Sequence, residues 1–118
     1  MYNSESFLSE AQVANEKLWF VQSLEVYERT DSTLTLRLYI RPDLFVQAFI
    51  GEVTGSLYFA LIERNQRIYG IDRETDHWHL HSFEEPHKHE LFLPGLGPTP
   101  LLAFMSKVEK VLVEENLL

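Results

Sequence analysis

The segment Thr33-Leu34-Thr35-Leu36-Arg37-Leu38-Tyr39-Ile40 constrains the fold more than any other part of this chain. Apolar residues stand at every second position, and in an extended strand successive side chains alternate between two faces. Leu34, Leu36, Leu38 and Ile40 therefore share one side, and Thr33, Thr35, Arg37 and Tyr39 share another that is at least partly wet. Arg41-Pro42-Asp43 ends the strand, because proline has no donor for a ladder and holds its predecessor away from helix. Leu24 and Val26 mark a strand before the polar break Arg29-Thr30-Asp31-Ser32. Phe45 to Ile50 and Leu57 to Ile62 are denser apolar runs, separated by Gly51 and Gly55, and read as the central strands. Asn65-Gln66 is a tight turn into a fifth strand, Arg67 to Ile71. Short links favour an antiparallel meander, since parallel crossovers need about a dozen residues or more.

Helical spacing occurs at both ends. Phe7, Ala11, Ala14 and Leu18 place a helix over Ser6 to Leu18, with Ser9 and Gln12 spaced as a capping box. After the turn-prone Pro94-Gly95-Leu96-Gly97-Pro98, Thr99 reads as an N-cap with Pro100 at the first helical position. Leu101, Leu102, Phe104, Met105, Val108, Val111 and Leu112 then form an apolar face, and Lys107, Glu109, Lys110 and Glu114 a polar one. The fold expected is α+β: residues 1–118 as a single domain, a five-stranded antiparallel meander sheet with the N- and C-terminal helices packed on it.

Composition removes whole classes of function. With no cysteine, the chain has no disulfides, zinc ribbon or catalytic thiol. Ten Lys and Arg against 18 Asp and Glu give a formal charge of −8, which argues against broad attraction to nucleic acid but not against a small local site. The start MYNSESFLSE lacks the basic and apolar regions of a signal peptide, and no apolar run approaches the ~20 residues of a membrane span. A cytoplasmic protein without membrane association is expected.

All five histidines, His77, His79, His81, His87 and His89, fall in one short window. If extended, His77, His79 and His81 share one face, opposite Trp78 and Leu80, and His87 and His89 share another beyond Pro86. Three chemistries suit that pattern. One is a divalent metal site, zinc or a similar ion, with His77, His79 and His81 as ligands and nearby carboxylates completing the shell or orienting the rings. Another is metal-free acid–base cleavage of RNA, in which one imidazole takes the 2′-hydroxyl proton, a second protonates the leaving oxygen, and Arg73 or Lys88 stabilises the phosphorane. The third is a pH-sensitive interaction surface. Ser82 has no nucleophile elbow or oxyanion hole around it and is not read as a nucleophile. A homodimer is the commonest closed oligomer and is the expectation for assembly.

Arg67-Ile68-Tyr69-Gly70-Ile71-Asp72, the histidine stretch and Pro86-His87-Lys88-His89 together resemble the small TumE-like toxins of prokaryotic toxin–antitoxin pairs. Leu34 to Leu38 and Tyr58 to Ile62 are similar to that family in order and spacing, so the resemblance covers about residues 20 to 92. It implies that Asp72, His77, His79, His87 and His89 are the motif positions, with Arg73 where the family usually has Asn and Trp78 splitting its adjacent histidine pair. It further implies ribonuclease action without a cofactor, an RNA substrate and a cognate antitoxin as partner. The resulting catalytic set is Asp72, Arg73, His77, His79, His87 and His89.

Overall fold

The computed structural model describes residues 2–92 and 94–118. Helix α1 (Ser4–Lys17) precedes strands β1 (Ser23–Arg29), β2 (Thr33–Arg41), β3 (Leu44–Gly51), β4 (Ser56–Glu63), β5 (Gln66–Glu74), β6 (His77–His81) and β7 (Glu90–Leu91), and α2 (Pro100–Glu114) follows. The strands form one sheet in the order β1-β2-β3-β4-β5-β6-β7, each antiparallel to its sequence neighbour. The class is α+β, but the sheet has seven strands where sequence periodicity predicts five. One additional strand lies in the histidine window and the other directly follows it. β6 hides its alternation behind imidazoles, and β7 is two residues long, too short for any period to show.

The alternation in β2 sets the layering. Leu34, Leu36 and Leu38 are fully buried, paired in register with Ile50, Ala48 and Val46 of β3. Leu57, Phe59 and Leu61 of β4 and Ile71 of β5 continue the same apolar face. Phe7, Ala11 and Ala14 of α1, with Leu101, Phe104, Met105, Val108 and Leu112 of α2, complete the core. Phe104 stacks on Phe59 at 5.4 Å and on Tyr69 at 5.7 Å, which seats α2 over the centre of the sheet. Each large side chain buried this way contributes about 1.5–3 kcal/mol.

Among the described residues no helix covers the opposite face. There the Arg37 guanidinium lies 3.9 Å from the Tyr27 ring centre and 4.6 Å from that of Phe45, and its Nε donates to Gln47 Oε1 at 2.9 Å. Farther along, Phe49 packs on Tyr58, whose hydroxyl donates to Glu74. Among the described residues no helix is long and apolar enough to cross a membrane.

Local signals differ from their sequence reading in three places. α1 starts earlier than the Ser9 capping box suggests: Asn3 is its N-cap, and Asn3 Oδ1 accepts the Ser6 N–H at 2.9 Å. The β4–β5 turn falls on Arg64 and Asn65, both with positive φ, one residue before Asn65-Gln66. Thr99 does occupy the N-cap of α2, but its side chain makes no capping bond. Glu10 of α1, buried, takes that role: its Oε1 accepts the Leu102 N–H at 3.1 Å, setting a carboxylate at the positive end of α2. Glu10→Ala should therefore lower stability by about 1 kcal/mol or more, the usual loss for a helix cap. Thr99→Ala should cost only a few tenths. Chemical denaturation of the two variants checks the ranking.

Candidate functional site

The site is built on the β5–β6 hairpin. Thr75 and Asp76, at φ 47° and 63°, join the two strands and fix a register that pairs Asp72 with His79, Gly70 with His81, and Arg73 with Trp78. Alternation then sends Gly70, Asp72, His79 and His81 to the uncovered face, and Ile71, Arg73, Trp78 and Leu80 to the helix side. After β6 the chain turns back. The Glu85 N–H donates to Ser82 Oγ at 3.2 Å, the Lys88 N–H to Glu85 O at 3.0 Å, and Arg67 Nη2 to Pro86 O at 3.2 Å. β7 then pairs Glu90 with Leu80 and Leu91 with His79, which carries His89 over the hairpin.

One carboxylate meets three imidazoles here. Asp72 is buried, and its Oδ2 lies 3.1 Å from His81 Nε2 and 3.9 Å from His89 Nε2. His79 Nδ1 stands 3.5 Å from Oδ1, within ion-pair range without making a hydrogen bond. The His89 ring packs 4.5 Å from both the His79 and the His81 rings. Because an ionised carboxylate only accepts, we assign the His81 proton to Nε2, donating to Asp72. Burial, the largest effect, pushes the His81 imidazole below the ordinary histidine range. The Asp72 hydrogen bond opposes that shift, while the Arg67 charge works with burial.

Gly70 supplies room beside the cluster. A Cβ there would sit 3.3 Å from Arg67 Cδ and 3.0 Å from Phe59 O, so the Arg67 stem lies across the glycine. Neither Arg67 nor Gly70 belongs to the site as read from sequence. The available signal was a glycine inside a strand, which marks close approach of another group.

Of the catalytic residues expected from sequence, Asp72, His79 and His89 come together, joined by His81 from the metal set. Arg73 does not belong there. Next to Asp72 on the same strand, it takes the opposite face, where Nε and Nη2 donate to Gly55 O at 3.1 and 3.0 Å and the guanidinium lies 5.4 Å from the Trp78 ring. His77 is exposed at the start of β6, opposite Glu74, and it is Asp72, His81 and His89, not His77, His79 and His81, whose ligand atoms converge within 4.8 Å among the described residues. His87 is exposed and makes no contact with the carboxylate among the described residues. Lys88 Nζ is 3.9 Å from Glu85 and is paired there.

No protein-family model, curated protein or solved structure matches this chain. Its chemistry rests on the geometry. Asp72, His81 and His89 offer one oxygen and two nitrogens that all lie within 4.8 Å of one another, on an open sheet face.

The His81 environment carries a pH dependence. The unfolded chain takes up a proton near pH 6.5 that the folded chain binds only at lower pH. In chelator-treated protein the His81 contribution is thus fully present above about pH 6.5 and is lost as pH falls through the folded value. His81→Gln should flatten that limb of the stability–pH curve, whose slope from this one proton is at most about 1.4 kcal/mol per pH unit.

Proposed function

We propose that Asp72, His81 and His89 form a divalent-cation centre for which zinc is the best-suited ion. The supporting observation is convergence: Asp72 Oδ2 stands 3.1 Å from His81 Nε2 and 3.9 Å from His89 Nε2. Ligands of tetrahedral zinc lie about 3.3 Å apart, given metal bonds of about 2.0–2.1 Å. His89 is on an exposed segment, so rotation of its ring closes the wider gaps. Zinc would be held by the neutral tautomer, in which the proton now on His81 Nε2 sits on Nδ1 and the Nε2 lone pair is free for the ion. His79 stands beside the other oxygen of Asp72, with Nδ1 3.5 Å away, where a small closure would let it donate to the carboxylate. Three protein ligands leave a fourth position open, the arrangement of catalytic rather than structural zinc.

Tag-free protein, stripped with chelator and titrated calorimetrically, should bind one equivalent of zinc. Asp72→Asn and His89→Ala should each weaken binding by more than about 100-fold, beyond the 10–100-fold cost of losing an outer partner. His77→Ala and His87→Ala should leave it unchanged. Wild-type protein that fails to bind zinc stoichiometrically, or Asp72→Asn that binds as well as wild type, would exclude the centre.

A second reading, an RNA-cleaving toxin of a toxin–antitoxin pair, is favoured by the meeting of Asp72, His79 and His89 around one carboxylate, since all three are motif positions in the TumE-like resemblance. It carries a cytoplasmic location and an antitoxin partner with it. Induced expression in a prokaryotic host should arrest growth and degrade RNA, co-expression of the adjacent gene should relieve both, and Asp72→Asn should abolish both. Normal growth with intact RNA on wild-type induction counts against this reading.

A further inference from the structure

We propose that the non-protein ligand of the cation centre is a phosphate group, held between the metal and the Arg67 guanidinium. This rests on the cation reading above and adds the class of ligand that completes it.

Arg67 is the observation that asks for an anion. Its stem lies across Gly70, with Cδ 3.3 Å from where a Cβ would stand, and Gly70 is the register partner of His81. Its Nη2 reaches Pro86 O at 3.2 Å, on the same returning segment that brings His89 to Asp72. The side chain is thus tied at both ends to the elements that carry two of the three donors. Yet it uses only one of its five N–H groups in the described bonds. No carboxylate pairs with it among the described residues, although the chain holds 18 Asp and Glu. Of the other five arginines four are engaged, Arg41 with Asp43 and Glu63, Arg64 with Asp43, Arg37 over two rings and Arg73 on a carbonyl, while Arg29 lies on the distant β1 edge.

A divalent cation next to an unpaired guanidinium is repulsive on its own. An oxyanion between them removes the repulsion by placing one oxygen on the open metal position and another on the guanidinium fork. Phosphate suits that arrangement better than a carboxylate, because it can place one oxygen on the metal and still offer two to the guanidinium fork, whereas a carboxylate has only two oxygens to share. The same chemistry is presented by free phosphate and by a phosphodiester, and the two are separated by choice of probe.

Calorimetric titration of wild-type and Arg67→Gln protein, each with one equivalent of zinc and each metal-free, tests the assignment. The probes are inorganic phosphate, the diribonucleotide UpU and acetate. Inorganic phosphate or UpU should bind zinc-loaded wild type at least about tenfold more tightly than either metal-free wild type or zinc-loaded Arg67→Gln, the loss expected for an arginine–phosphate contact. Whichever probe binds identifies a terminal or a bridging phosphate. Arg67→Gln should bind zinc in chloride buffer as tightly as wild type or more so, because a like charge has been removed. Equal probe affinity in both proteins would overturn the role of Arg67, and acetate binding as well as phosphate would overturn the tetrahedral ligand. Zinc binding with no response to phosphate or UpU would overturn the proposal while sparing the cation centre. Failure to bind zinc at all would remove the centre itself.

Discussion

A sheet has two faces, and this chain has helix enough for one. α1 and α2 cover the side that carries Leu34, Leu36, Leu38, Val46, Phe59 and Ile71, and that burial is the main apolar contribution to the fold. The other side must be stable in contact with water. Over β1, β2 and β3 it is made so by a guanidinium laid on aromatic rings. Over β5 and β6 it is made so by a carboxylate among imidazoles. Polar chemistry sits on this face because no helix covers it, and the His81–Asp72 bond can hold there without displacing core packing.

Burying Asp72 is tolerable only with partners, since an isolated carboxylate in a low-dielectric site is strongly disfavoured. The chain as a whole is acidic, so those partners cannot come from a general excess of positive charge. They are local. Three imidazoles surround a single carboxylate, while much of the basic inventory is committed elsewhere, Arg41 to Asp43 and Glu63 and Lys88 to Glu85. The formal charge of −8 therefore describes the surface at large and says little about this face.

Strand parity was legible in the sequence wherever apolar residues carried it. Leu34 to Ile40 announced β2, and the two dense runs announced β3 and β4. The same parity rule places His79 and His81 together and separates Asp72 from Arg73, which are neighbours in one strand and so cannot share a face. Register was the missing quantity. It decides that Asp72 faces His79 while His77 falls opposite Glu74 at the end of the hairpin, and nothing in the residue spacing fixes it. His87 and His89 are likewise equivalent by spacing, and only the two-residue pairing of β7 selects His89. Glu10 capping α2 was unreadable for a different reason: the bond joins opposite ends of the chain, and local signals pointed to Thr99.

Because every strand pairs with the one before it, the sheet can grow by successive hairpins, each closing only a short loop. The carboxylate and its imidazoles all lie between β5 and the start of β7, so their contacts need no strand from the far edge of the sheet. By contrast, the Glu10–Leu102 bond and the helix layer join residues from the two ends of the chain. In sequence separation, the polar cluster is made of local contacts and the helix layer of long-range ones. The cluster is thus carried by one continuous stretch of chain, a hairpin and its returning segment, at one end of a meander whose central strands hold the core.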